Sequence, residues 1–259
     1  MAKTTLITGA SSGIGLELAK IAGAAKENLV LVARSEGKLQ ELANSLRTQY
    51  GVQVTVIPAD LSNMDEVQKV YDTCKKENIQ VDHLVNNAGF GHYDFFANTD
   101  WEKTESMLDL NIKSLTKMCR LFIPDMVNRK YGKVLNVAST AAFQPGPTMA
   151  VYCATKSYVL HFSEAIYNEL QGTGVTVTAL CPGATESGFQ MAAAMENSAL
   201  VKNKKIPSSE EVAKFGYKVM MNGKMTAIHG FVNYILANSV RFAPRSLAVS
   251  IARKILGNP

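Results

Sequence analysis

The sequence predicts a doubly wound α/β fold, a parallel sheet with helices on both faces, built as one domain over residues 1–259. Three observations carry that expectation. Short β-branched runs alternate with helical periodicities along residues 4–180. Several runs are nearly continuous in Val, Leu and Ile, as strands buried on both faces require. A glycine-rich turn stands between the first strand and the first helix.

Taken in order, strands are expected at Thr4–Thr8, Leu29–Ala33, Val52–Ile57, Val81–Val85, Lys133–Ala138 and Val175–Leu180. Between them, Leu39, Leu42, Ala43 and Leu46, then Val67, Val70, Tyr71 and Cys74, repeat at i, i+3, i+4, i+7. That is the stripe of a helix with one buried face. Helices joining parallel strands make right-handed crossovers and cover the sheet on both sides. After Pro182 the pattern loosens. Residues 188–207 read as an Ala- and Met-rich helical lid, and a helix opens at Ser208–Ser209 with Glu210 and Glu211 in its first turn. Residues 231–259 read as a helical tail broken at Pro244.

Composition narrows the class. Apolar residues make up 47% and charged residues 19%, which excludes a disordered chain. No uninterrupted apolar run reaches the ~18 residues of a membrane span. The first apolar run meets Gly9 too early for a secretion-signal core, so a cytoplasmic location is expected. Cys74, Cys119, Cys153 and Cys181 lie 28 or more residues apart, and His83, His92, His161 and His229 are equally scattered. Neither a metal site nor a disulfide framework is expected, and each histidine reads as structural or superficial. The net charge of +5 is uneven: residues 201–259 carry ten Lys/Arg against two Glu. This basic tail reads as a solvated helix face, with neither nucleic acid nor membrane expected as a partner.

The chemistry-bearing residues cluster by position. Gly9, Ser11, Ser12, Gly13, Ile14 and Gly15 form the turn after the first strand. Its spacing, G-x-x-x-G-x-G, serves close packing or lets a dinucleotide diphosphate approach a helix N-terminus. The second strand ends at Ala33, with no carboxylate to grip a ribose diol, and Arg34 follows. A guanidinium there suits a 2′-phosphate, or is a surface arginine at a strand end. Asp60, closing the third strand, offers an acceptor to an adenine amino group. Tyr152 and Lys156 stand four apart on a helical pattern and so share a face. Spacing alone does not single them out, because Tyr71 and Lys75 match the same pattern. Tyr71 falls on an apolar stripe and reads as core. Tyr152 instead follows Ser139, delivered at a strand's carboxyl end, where ligands bind in open α/β sheets.

TGASSGIG at 8–15, NNAG at 86–89, Asn111, Ser139, YCATK at 152–156 and PG at 182–183 occur in the order and spacing of the short-chain dehydrogenase/reductase family, which the chain resembles over residues 4–190. The resemblance implies a Rossmann-type sheet, a nicotinamide cofactor, and hydride exchange between a carbonyl and an alcohol. It implies that Tyr152 is the acid/base, that Lys156 tunes it and holds the nicotinamide ribose, and that Ser139 donates to the reacting oxygen. Asn111 resembles the position that holds a relay water. Asn87, Ala88 and Gly89 match the cofactor floor, Asp60 and Leu61 the adenine side, and Pro182, Gly183, Thr185 and Ser187 the carboxamide side. The closing strand with its Asp-Gly-Gly turn, found in many bacterial members, is expected to be absent. The resulting expectation is an NADP(H)-dependent carbonyl reductase or alcohol dehydrogenase acting on an apolar substrate and forming a homodimer through helices at Trp101–Lys130 and Val151–Gly172. The alternatives are a ketoacyl-thioester reductase and a non-catalytic NADPH-binding sensor or scaffold.

Overall fold

The computed structural model describes residues 2–186 and 206–257. Seven parallel strands form one sheet: β1 (Thr4–Thr8), β2 (Asn28–Ala33), β3 (Val54–Pro58), β4 (His83–Asn86), β5 (Gly132–Val137), β6 (Val175–Cys181) and β7 (Thr226–Ile228). Their order is β3-β2-β1-β4-β5-β6-β7. The direction of winding reverses between β1 and β4, which opens a crevice beyond the carboxyl ends of those strands. The first six strands lie where the β-branched runs predict them, shifted by at most two residues at either end. The seventh corrects the expectation that no closing strand exists. Only three residues long, it pairs Ala227 with Leu180 in parallel register, too short to register as a periodic run.

The alternation of strand side chains feeds two separate cores. Leu6, Val30 and Val32 point to one face and meet Val67 and Val70 of α3 (Met64–Lys76), Met118 and Phe122 of α5 (Leu115–Asn128) and Val159 of α6 (Ala150–Glu169). Ile7, Leu29 and Leu31 point to the other, against Leu18 of α1 (Gly13–Ala24), Leu39 and Leu42 of α2 (Glu36–Tyr50) and Val212 of α7 (Ser209–Met221). Helix α7 opens with the reciprocal bonds of a capping box between Ser208 and Glu211, at the expected position. Helix α4 (Trp101–Leu108) runs into α5 through a π-helical turn at Asp109–Ser114, a widening that the sequence periodicity does not reveal. The tail is helical as expected, with α8 (Phe231–Ser239), a 3-10 turn (Val240–Phe242) and α9 (Arg245–Leu256), and Pro244 caps the last. All four cysteines are buried free thiols, and no three His, Cys, Asp or Glu among the described residues form a metal-binding group.

Candidate active site

The carboxyl ends of β1 to β6 bring most of the expected residues to one edge of the sheet. The turn after β1 is held in place by Asn87. Its Nδ2 donates to the carbonyls of Thr8 at 2.9 Å and Gly9 at 3.2 Å, while Thr8 Oγ1 accepts the amides of Asn87 and Ala88, each at 3.0 Å. The approach is so close that a Cβ on Gly15 would stand 2.3 Å from the Gly9 carbonyl oxygen, and Gly9 itself has φ +66°. Glycine is therefore required at both positions. Ser12 precedes α1 without a side-chain cap, and no acidic residue occupies the first turn. The helix thus presents uncapped N–H groups and its positive end to the crevice, the fit a diphosphate needs. Asn87 is spent on fastening this turn, so its amide has a structural task.

Farther along the edge, the expected residues divide. Arg34 is exposed just beyond β2. Asp60 is exposed too, with Oδ1 accepting both the amide and the hydroxyl of Ser62. The Leu61 side chain lies in the core beside Ile57 and Val67. Thr185 is buried and donates to the Gly183 carbonyl at 3.0 Å. Ser187 and the lid at 188–205, with Phe189, Met191, Met195 and Leu200, lie outside the described residues.

Ser139, Tyr152 and Lys156 come together. Ser139 follows β5 in extended conformation, and its Oγ accepts the Ala141 amide at 3.0 Å. It also hydrogen-bonds the Tyr152 hydroxyl. Tyr152 and Lys156 occupy successive turns of α6, both buried, with the ammonium nitrogen 5.8 Å from the phenol ring centroid. Lys156 Nζ donates to the Val137 carbonyl at 2.7 Å and makes no ion pair among the described residues. Burial pushes the Tyr152 phenol well above its ordinary value, opposed in part by Ser139. Burial also lowers Lys156 to about 8. Each shift disfavours the charged form. A phenol that stays protonated beside a seryl hydroxyl is arranged to deliver a proton to an oxygen bound between them.

Asn111 sits on the π-helical turn and is buried. Its Oδ1 accepts the Phe90 amide at 3.2 Å; its Nδ2 donates to the Phe90 carbonyl at 2.9 Å and to Thr155 Oγ1 at 3.0 Å. The side chain clasps the chain after Gly89 from both sides. That clasp sets Gly89 against Lys156, where a Cβ would stand 3.5 Å from Nζ. One further residue escaped sequence reasoning. His92 lines a narrow cleft together with Thr148, Met149 and Tyr152, and its Nδ1 is buried without a hydrogen-bond partner among the described residues. Burial keeps this imidazole's pKa below the usual histidine range. No spacing signal marks it, since only the fold of the 90–94 loop carries it to Tyr152.

Such a site at the carboxyl edge of a doubly wound parallel sheet defines a dinucleotide-dependent enzyme class. The short chain dehydrogenase family matches residues 3–198, and the chain belongs to it. The family binds a nicotinamide cofactor, and the uncapped α1 turn with its glycine approach fits one. Among relatives, the chain is 34% identical over 183 residues to a very-long-chain 3-oxoacyl-CoA reductase of Anas platyrhynchos, covering 68% of this chain but only 58% of that one. It is 34% identical over 191 residues to an NADP-dependent 3-hydroxy acid dehydrogenase of Schizosaccharomyces pombe, covering 73% of this chain and 74% of that one. A solved short-chain dehydrogenase from Sphingobium yanoikuyae, in complex with NADPH, matches with a TM-score of 0.83 at 30% identity over 93% of this chain and 94% of that one.

Proposed function

We propose that this protein is an NADP(H)-dependent oxidoreductase that interconverts a carbonyl and a secondary alcohol on an apolar or partly apolar substrate. The observation that carries the reading is the buried Ser139–Tyr152–Lys156 group at the sheet's carboxyl edge. The bound cofactor supplies or accepts the hydride. Tyr152 gives the substrate oxygen its proton, Ser139 donates a hydrogen bond to the same oxygen, and Lys156 lowers the cost of the phenolate left behind. Met149, Met107 and Phe96 stand with His92, Asp94 and three threonines around the narrow cleft beside Tyr152, a mixed lining that supports a partly apolar substrate. The name of the Anas platyrhynchos relative favours a second, narrower reading, a 3-oxoacyl-thioester reductase. A cytoplasmic homodimer paired through α4–α5 and α6 completes the proposal. Sedimentation at micromolar concentration tests the dimer, and a monomer would remove it.

Substrate and cofactor are tested together by following NADPH and NADH absorbance across apolar ketones, ketoacyl thioesters, steroids and sugars. Preference for polar sugars would overturn the apolar assignment. Preference for thioesters over simple ketones would select the narrower reading. For the cofactor, Arg34 is the only candidate 2′-phosphate clamp at the end of β2, with uncharged Ala33 before it. Arg34→Ala is expected to raise the KM for NADPH roughly ten- to a hundredfold, the weight of ~1.5–3 kcal/mol for one charge-assisted hydrogen bond. NADH should change little. Equal loss with both cofactors would remove Arg34 as the discriminator.

A further inference from the structure

Exposed large apolar side chains concentrate in the tail: ten of the fifteen among the described residues lie between Phe231 and Ile255. Helix α8 buries only Ala237, while Phe231 is 77% and Phe242 89% exposed. Helix α9 buries Ala248, Ala252 and Leu256, and beside that stripe Leu247, Ile251 and Ile255 repeat at i, i+4, i+8 toward solvent. A helix with one apolar stripe on the protein and a second facing outward has something to cover it.

The charge pattern says what. After Glu211 the sequence contains no Asp or Glu, but seven Lys and Arg. Arg241, Arg245 and Lys254 are exposed in the same elements as the apolar residues, and none makes an ion pair among the described residues. A second copy docked about a two-fold axis would set this patch against itself, with cations opposite cations and no carboxylate between them. A layer of anionic headgroups over acyl chains answers both features at once. Neither helix is long and apolar enough to cross a membrane, so they would lie along its surface.

We propose that α8 and α9 dock the protein on an anionic lipid surface, contrary to the sequence expectation of a merely solvated basic face. The docking elements adjoin the active site. Asn233 of α8 lies against Gly183, and Leu256 of α9 packs in one cluster with Tyr152. An apolar substrate dissolved in the bilayer would therefore be presented next to the site.

The test is co-sedimentation of the full chain with vesicles of phosphatidylcholine alone and of phosphatidylcholine with phosphatidylserine. Binding is expected to the anionic vesicles and to weaken with salt. Each tail cation contributes about fivefold, so Arg241→Gln with Arg245→Gln should lower binding roughly thirtyfold. Phe242→Ser should lower it about tenfold or more. These variants should keep their turnover of a water-soluble ketone, which shows that they fold. Absence of binding to anionic vesicles, or binding indifferent to these substitutions, would overturn the proposal. So would a Phe242→Ser change that only splits an oligomer, because the patch would then belong to a second copy.

Discussion

Two tyrosine–lysine pairs with the same spacing occupy opposite environments in this molecule. In both, the ammonium nitrogen stands at nearly the same distance from the phenol ring centroid, 5.6 Å for Lys75 over Tyr71 and 5.8 Å for Lys156 over Tyr152. What surrounds them differs. Tyr71 packs edge-on against Phe122 at 5.1 Å, and Asp125 takes both its hydroxyl at 3.1 Å and Lys75 at 3.3 Å. The carboxylate raises the Lys75 pKa in an exposed position. Lys156 has a strand carbonyl where Lys75 has a carboxylate, and burial lowers it to about 8. The lysine shifts therefore run in opposite directions, while both phenols are raised. The local motif fixes the pair's internal geometry, and the surrounding layers decide whether that pair is a surface clasp or a reactive group.

The largest expected effect lies at Tyr152. Tyr152→Phe keeps the ring and removes the transferable proton, so kcat should fall by ~10²–10⁴ with little change in cofactor binding. Near-normal turnover in steady-state kinetics would place the two pairs in the same structural class and break the contrast.

Lys156→Met sharpens it by separating activity from stability. The unfolded lysine has its ordinary pKa of 10.5 and the folded one about 8. Below pH 8 both states are protonated and the fold carries the full cost of a buried ammonium. Between pH 8 and 10.5 the unfolded chain holds a proton that the native chain has released, so native stability rises with pH across that window. Removing the lysine should abolish most turnover and yet stabilise the protein at pH 7. The ceiling is about 3 kcal/mol, the free-energy equivalent of that pKa difference. Urea titrations should show the gain shrinking toward pH 10.5. A loss of stability that is equal at both ends of the window would mean that Lys156 carries no buried charge.

The smallest effect belongs to Tyr71→Phe. It deletes one hydrogen bond to a partly exposed carboxylate, so stability should drop by only ~0.5–1 kcal/mol while kcat and KM stay at wild-type values. A kinetic defect here would show that the α3 pair communicates with the site.

Much of the fold and of the site is legible in the sequence. The strand runs at Thr4–Thr8 and Val175–Leu180 fall on observed strands almost residue for residue, because both are dense in the β-branched residues that suit a pleated, buried strand. The Gly9–Gly15 turn was legible because glycine is favoured where φ is positive and required where backbones approach as closely as Gly15 and Gly9 do. β7 was missed, since three residues carry no period. His92 was missed because a lone histidine carries no motif.

By itself, then, the sequence determined the alternating architecture, the order of the motifs along the sheet's edge, and the placement of Tyr152 and Lys156 on one helix face. These depend on periodicity and on steric limits within a few residues, which a linear chain displays directly. Only the tertiary structure decided which Tyr–Lys pair lost its water. Lys156 is buried because α6 lies over β5 and β6 while Asn111 clasps the loop after Gly89, contacts between residues 19 and more positions apart. Desolvation is a property of everything packed around a group. The same four-residue spacing therefore leaves Lys75 with a raised pKa in solvent and lowers that of Lys156 to about 8 inside.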